Sequence, residues 1–324
     1  MAKVVDSYTI SEGSGKETNH YVFSIKGSGI RYKSGDAMGL YPKNNAQLVK
    51  DTVRKLRAKL TDKVSTGDME ENTLEHALLH RFVIHRAGKK FLTMVHEKLG
   101  KGKPKRELDA ILSNPEELEK YLFIRDYIDI MNEYKVKISP QEFIDTLSPI
   151  APRLYSISSS PRAHLGEIHL TVAIVKYNNL DRDRYGLATG DLARDITVNE
   201  TEVPIYIQPT RDFVIPKNGS KDIIMVGPGT GIAPFMAFAR HLHAVGDHRE
   251  LICLHGSSYV DELSYKDELT ALDQESLDRG PDKWNFKYRA SISRPQEWFN
   301  RSWTGQTGRV EQFLKPINGG KSPL

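Results

Sequence analysis

The stretch RLYSISSS, residues 153–160, alternates as a β-strand should, yet it sets an arginine, a tyrosine and four serines into eight positions. Only Leu154 and Ile157 are plainly apolar. Side chains repeat every second residue along a strand, so Arg153, Tyr155 and Ile157 share one face and Leu154, Ser156 and Ser158 the other. A guanidinium suits a diphosphate, a phenol suits a planar ring, and a hydroxyl suits a ring nitrogen. A ligand wrapping the strand edge can use all three. A solvated edge strand has the same local pattern.

Strand signals flank this stretch on both sides. TNHYVFSIKGSG (18–29) alternates, with Tyr21, Phe23 and Ile25 on one face, and YKSGDAMGLYPKNN (32–45) breaks it with Gly35, Asp36, Gly39 and Pro42. EIHLTVAIVKY (167–177) puts Ile168, Leu170, Val172 and Ile174 on one face, and VPIYIQPT (203–210) is a further strand. Between the two strand regions, residues 45–147 read as helical. SNPEELEKYL (113–122) offers Asn114 as a cap, Pro115 at the first helical position and Glu117 to complete a capping box; Ser139, Pro140 and Glu142 repeat the device. LEHALLHRFVI (74–84) and KKFLTMVHEKL (89–99) carry helical apolar spacing, and KGKPKREL (101–108) reads as a basic, solvated loop.

Beyond residue 217 the pattern changes to α/β. DIIMV (222–226), ELICLHG (250–256) and NFKYRASIS (285–293) are short apolar runs of the kind buried in parallel sheets. The first leads into GPGTGIAP (227–234), where Gly227, Gly229 and Gly231 precede a helix. Such glycines let a diphosphate approach bare N–H groups at a helix N-terminus, and the Thr230 hydroxyl adds a donor. The spacing differs from G-x-G-x-x-G, and a glycine-rich connection without a ligand is an alternative. Ser293 and Arg294 end the third run, at the carboxyl end where open parallel sheets bind ligands. They suit an extra phosphate, with Arg309 as a second clamp.

The bulk figures bound the class. At 324 residues the chain has room for about two domains. One cysteine, Cys253, excludes an internal disulfide and a cysteine-built metal site, so no metal is expected. No apolar run is long enough to span a membrane, and MAKVVDSYTI lacks the features of a signal peptide, so a cytoplasmic protein without stable membrane insertion is expected. A net charge of +4 suits an acidic partner and gives no indication of nucleic acid.

YKSGDAMGLYPKNN, LEHALLHRF, ISPQEFIDTLSPIAPRLYSISSS, HLTVAIVKY, YGLATGDLA and IIMVGPGTGIAPF occur in one order along nearly the whole chain. In this the chain resembles the ferredoxin–NADP reductase superfamily, in particular the branch of NADPH–cytochrome reductases and the flavoprotein subunit of sulfite reductase. The resemblance implies a β barrel plus α/β fold. An antiparallel FAD-binding barrel (1–44 and 148–216) would carry a helical connecting insert (45–147). A parallel-sheet NAD(P)-binding domain (217–324) would follow, stopping at INGGKSPL short of the family's last strand and helix. It implies an FAD-dependent NADPH oxidoreductase and electron-transfer flavoprotein, without the FMN domain of the fused enzymes.

Roles follow residue by residue from the same resemblance. Arg153 would pair with the FAD diphosphate, Tyr155 would lie against the flavin ring, and Ser156 would sit at the atom that receives hydride, as the catalytic residue. Thr171, Val172, Ala173 and Tyr177 would line the flavin, and Gly186, Leu187, Ala188 and Thr189 would wrap its diphosphate. Gly229, Thr230 and Gly231 would hold the nicotinamide nucleotide, with Ser293, Arg294 and Arg309 at the 2′-phosphate of NADPH. Ser257 stands where many members have a cysteine, and Met236 where many have an arginine. The partner implied is a separate one-electron acceptor: a ferredoxin, a flavodoxin, or an oxygenase or sulfite reductase component. An NADH-using reductase and a non-catalytic flavin-binding subunit are the alternatives.

Overall fold

The structure, a computed structural model, describes residues 1–11, 16–67, 71–217, 219, 221–310 and 312. In chain order it holds β1 (Ala2–Ser11), β2 (Thr18–Ser24), β3 (Ala37–Leu40), α1 (Ala46–Leu56), β4 (Lys63–Ser65), β5 (Glu71–Thr73), α2 (Leu74–His80), α3 (Lys89–Lys98) and α4 (Lys103–Ser113). Next come α5 (Pro115–Phe123), α6 (Tyr127–Glu133), α7 (Pro140–Asp145), β6 (Arg153–Ser156), β7 (Glu167–Ala173), β8 (Lys176–Asn179), β9 (Arg182–Tyr185) and α8 (Leu187–Arg194). The last third holds β10 (Glu202–Val203), β11 (Ile205–Gln208), β12 (Ile223–Pro228), α9 (Ala233–Val245), β13 (Leu251–Ser257), α10 (Lys266–Arg279), β14 (Phe286–Ile292) and β15 (Gln306–Thr307). The chain forms two compact units, one of residues 1–40, 154–174 and 196–324, the other of 41–153 and 175–195. The barrel-type strands and the parallel sheet thus share the first unit, and 175–195 belongs with the helical segment. The terminal stretch INGGKSPL lies outside the described residues.

The first unit combines both expected sheet types. Its antiparallel part is a sheet ordered β10-β1-β2-β7 and a sheet ordered β11-β3-β6. Its parallel sheet is ordered β12-β13-β14-β15. β3 forms inside YKSGDAMGLYPKNN, where the glycines and proline had suggested only a break; it pairs with β11 in register from Ala37↔Gln208 to Leu40↔Ile205. Gly39 is required there because a Cβ would lie 2.2 Å from the Tyr206 ring. β2 is buried on both faces rather than one. His20, on the face opposite Tyr21 and Phe23, is covered by Tyr265 from the segment that leads into α10. β12 lies at an edge of its sheet, so Ile224 is 48% exposed and DIIMV is not buried throughout.

The second unit is mainly helical. Its core gathers apolar side chains from α1 to α7, with Phe91, Tyr127 and Phe143 packed edge to face at centroid distances of 4.9–5.6 Å. Both capping sites form. Asn114 accepts from the N–H groups of Glu116 and Glu117, while its own N–H goes to Ile111 O rather than to Glu117. Ser139 and Glu142 make the reciprocal box. KGKPKREL is not a loop throughout: from Lys103 it is the start of α4. Pro104 fits the first turn, and burial of Leu108 in the core fixes a segment that looks only basic in isolation.

A buried ion grid ties the β8–β9 hairpin to α6. Arg182 and Arg184 reach both Asp126 and Asp129 at 2.6–3.0 Å, and the Asp126 carboxylate also caps α6 by accepting from Asp129 N–H. Removing Asp126 would leave two guanidiniums, one of them buried, to share Asp129 alone and would also remove the cap of α6. Asp126→Ala is therefore expected to cost about 3 kcal/mol or more in urea unfolding; a loss within the range of an exposed substitution would contradict this.

Buried histidines set the acid response. Burial and the neighbouring His169 push His20 down to about 3. His169 is pushed down to about 4 by burial and His164, His255 to about 4 by burial, and His85 to about 4 by burial and Arg153. Each takes a proton in the unfolded chain near pH 6.5, but in the fold only near pH 3 to 4. Unfolding therefore binds protons in this window, and stability falls as pH drops through it. At pH 5 the loss is about 2 kcal/mol for each such histidine relative to pH 7.5. Asp191, pushed up to about 6 by burial, opposes part of one share. Urea midpoints should fall clearly between pH 7.5 and pH 5; an unchanged midpoint would contradict the buried neutral histidines.

Candidate functional site

A cleft of about 600 Å³ opens in the first unit at the carboxyl ends of β12, β13 and β14. Thr18 and Ala173 border it from the antiparallel sheet; Gly229, Thr230, Ser257, Ser293 and Arg309 border it from the parallel sheet. The turn after β12 is fixed by sterics. A Cβ on Gly227 would sit 2.8 Å from Ile232 Cα, and Gly229 has φ +53°. The chain then makes a 3₁₀ turn over Gly229–Ile232 and enters α9, whose start has no side-chain cap. Gly231 belongs to the same turn and is exposed.

Backbone bonds hold the other strand ends around this cleft. Ser293 N–H donates to Ser257 O at 2.9 Å, and Gly308 N–H to Ile292 O at 2.9 Å. The Ser291 hydroxyl donates to Gly308 O at 2.6 Å, which sets the position of Arg309. A Cβ on Gly256 would meet Val310 at 2.8 Å, so a glycine is needed where the two segments touch. Lys16 and Glu262 are among the cleft residues with no role expected from sequence; the buried Glu262 carboxylate accepts from the Ser257 hydroxyl at 3.1 Å. Nothing in the local pattern YVDELSY singles out Glu262.

RLYSISSS divides sharply. Ser156 is exposed and Tyr155 half-buried on β6. Ser158, Ser159 and Ser160 are fully buried and serve the fold. Ser159 Oγ accepts from His169 N–H at 2.9 Å and bonds the Tyr32 hydroxyl at 2.7 Å; Ser160 Oγ bonds His241 Nδ1 at 3.2 Å. Of the three β7 residues expected at the flavin, Ala173 borders the cleft. Val172 is buried, and the Thr171 hydroxyl bonds Tyr265 OH at 2.6 Å.

The remaining expected flavin residues lie in the second unit. Gly186 caps α8 without a side-chain bond, and a Cβ there would lie 2.8 Å from Thr189 Oγ1. Thr189 Oγ1 accepts from Val175 N–H and donates to Gly186 O, so its hydroxyl serves the turn. Leu187 and Ala188 are buried, and Tyr177 is half-buried on β8 opposite Arg184. Gly186 and Leu187 border a polar cavity of about 180 Å³ with His85, Arg184 and Arg194. The Arg153 side chain is exposed and donates to Ala151 O at 3.2 Å; its charge helps to lower His85. The start of α8 offers uncapped N–H groups of the kind a diphosphate takes, and Arg194 borders the same cavity, which Asp51, Asp126 and Asp183 also line. In the first unit, the accessible Ser156 hydroxyl and the Tyr155 ring match a flavin ring.

Next in sequence to Ser293, which borders the cleft, Arg294 is held by its neighbours. Its Nη1 donates to Tyr259 OH at 3.1 Å and lies 3.5 Å from Glu297 Oε1. Tyr259 OH in turn donates to Glu297 Oε2 at 2.6 Å.

Comparison with known proteins agrees with this geometry. The FAD binding domain family matches residues 1–190, and the oxidoreductase NAD-binding domain matches residues 225–318. Among curated relatives, the sulfite reductase [NADPH] flavoprotein alpha-component of Mannheimia succiniciproducens is 35% identical over 244 residues, 75% of this chain and 40% of the relative. Its counterpart from Bacillus subtilis is 32% identical over 273 residues, 82% of this chain and 44% of the relative. That from Vibrio parahaemolyticus is 33% identical over 225 residues, 69% and 35% of the two chains. The chain thus spans less than half the length of these relatives. With a family match over residues 1–190 and uncapped glycine turns in both compact units, the chain belongs to the FAD binding domain family and carries an oxidoreductase NAD-binding domain.

Proposed function

We propose that the chain is an FAD-dependent NADPH oxidoreductase that accepts hydride from the nucleotide and passes electrons singly to a separate acceptor protein. The observation that carries this reading is the cleft in which Ala173 of the antiparallel sheet faces the same space as Gly229, Thr230, Ser257 and Ser293 of the parallel sheet. A nucleotide held on the glycine turn would present one end to the antiparallel strands and the other to Ser293 and Arg294. FAD, when bound, supplies the conversion between two-electron and one-electron transfer. The chain supplies position and charge. Arg153 and the start of α8 would hold the diphosphate, Tyr155 would lie on the ring, and Ser156 would offer its exposed hydroxyl at the reacting edge.

The acceptor is read from the relatives and the charge. Relatives named as sulfite reductase flavoprotein components favour a redox protein partner, either a sulfite reductase component or a ferredoxin- or flavodoxin-like carrier. The net charge of +4 suits an acidic one. A cytoplasmic setting accords with a single cysteine whose buried thiol is pushed up to about 12, away from reactivity. Among the described residues no helix is long and apolar enough to cross a membrane. The division into barrel (1–44 and 148–216), connecting insert (45–147) and nucleotide domain (217–324) is part of this proposal.

Single-turnover mixing of the FAD-loaded protein with NADPH tests the reading. Ser156→Ala should retain FAD but lose about tenfold in the rate of flavin bleaching, the worth of one well-placed hydrogen bond. An unchanged rate would remove Ser156 from the reacting edge. Absence of bleaching in the unaltered protein would overturn the oxidoreductase reading.

A further inference from the structure

The Arg294 cluster bears on which nucleotide the site prefers. Arg294, Tyr259 and Glu297 form a closed ring. The guanidinium donates to the phenol oxygen, the phenol donates to the carboxylate, and the carboxylate faces the guanidinium. The guanidinium also lies 5.6 Å from the centre of the Tyr259 ring. The ring is held in a built frame. Buried Asn300 donates to Ser258 O at 2.9 Å and to Arg294 O at 2.8 Å, and accepts from Val260 N–H at 2.9 Å. Glu297 N–H donates to Arg294 O at 3.1 Å. Asn300 therefore ties the Tyr259 segment to the Arg294–Glu297 turn, so the three side chains meet by construction.

A phosphate approaching Ser293 and Arg294 meets this arrangement as a competitor. Phosphate and carboxylate need the same donors, and a dianion beside Glu297 is repelled by it. A nucleotide with a plain 2′-hydroxyl carries no such charge. We propose that Glu297 is a specificity-determining residue: it occupies Arg294 in the free protein and weakens the preference for a 2′-phosphorylated nucleotide below what Ser293 and Arg294 alone would give. This rests on the reading of the cleft as the nucleotide site. It makes Glu297 the counterweight to Arg294, so that acceptance of NADH depends on the carboxylate as much as on the arginine. The cluster is exposed, with side-chain accessibilities of 52% for Arg294 and 38% for Glu297, so changing either leaves the core intact.

Calorimetric binding to the FAD-loaded protein tests this without turnover, with 2′,5′-ADP and 5′-AMP as probes. Glu297→Gln keeps the size and a hydrogen-bonding oxygen but removes the charge. It should tighten 2′,5′-ADP by about tenfold and leave 5′-AMP unchanged, as expected for relief of one close like-charge contact. Arg294→Ala should bring the two probes to similar affinity. If Glu297→Gln leaves the ratio of affinities unchanged or lowers it while Arg294→Ala still abolishes the preference, the competition is overturned and the nucleotide site stands. If Arg294→Ala has no effect on 2′,5′-ADP, or neither probe binds the unaltered protein, both the competition and the assignment of this end of the cleft are overturned.

Discussion

The Tyr265 hydroxyl is the hinge of the first unit's architecture. It lies 2.7 Å from His20 Nδ1 on β2, 2.6 Å from Thr171 Oγ1 on β7 and 3.5 Å from Ser158 Oγ after β6. Tyr265 itself comes from the segment between β13 and α10 and takes φ +60° to make this approach. Arg240 of α9 reinforces the junction, pairing with Glu268 of α10 at 2.6 Å and donating to Ser158 O at 2.8 Å. Burial makes these bonds consequential. A polar group left unpaired there would cost on the order of 1–3 kcal/mol. The junction therefore joins two sheet types that share no strand pairing among the described residues, and it decides that Thr18 and Ala173 look onto Gly229 and Ser257.

The second unit solves a different problem, how to present a short turn of bare N–H groups. Gly186 sits between the β8–β9 hairpin and α8, and both flanks are anchored. The hairpin is clamped by Arg182 and Arg184 on Asp126 and Asp129, while Thr189 closes the turn from within. The threonine hydroxyl is engaged locally, so under the proposed function the turn would act through its backbone groups. Backbone groups at a helix start are the donors that a diphosphate takes in general.

Features set by neighbours in sequence were legible in advance. The box of Ser139 and Glu142, the cap at Asn114 and the strand-glycine-helix order of GPGTGIAP depend on residues a few positions apart, and each forms as read. Features set by distant partners were not. Ser158, Ser159 and Ser160 look like solvated or ligand-facing serines until His169, Tyr32 and His241 are seen to cover them. The helix within KGKPKREL depends on Leu108 finding the core, and the two-sided burial of β2 depends on Tyr265. Glu262 owes its place at the cleft, and Glu297 its place beside Arg294, to loop geometry, which a single sequence does not encode in any short pattern.

The proposed function requires that one cleft let a nicotinamide nucleotide reduce a flavin carried by the same chain. Anaerobic titration of the FAD-loaded protein with NADPH, following the visible flavin band with NADH in parallel, tests it most directly. The band should be lost at a near-stoichiometric amount of NADPH. A protein that stays yellow with both nucleotides would bind flavin as proposed and contradict the joining of the two sites.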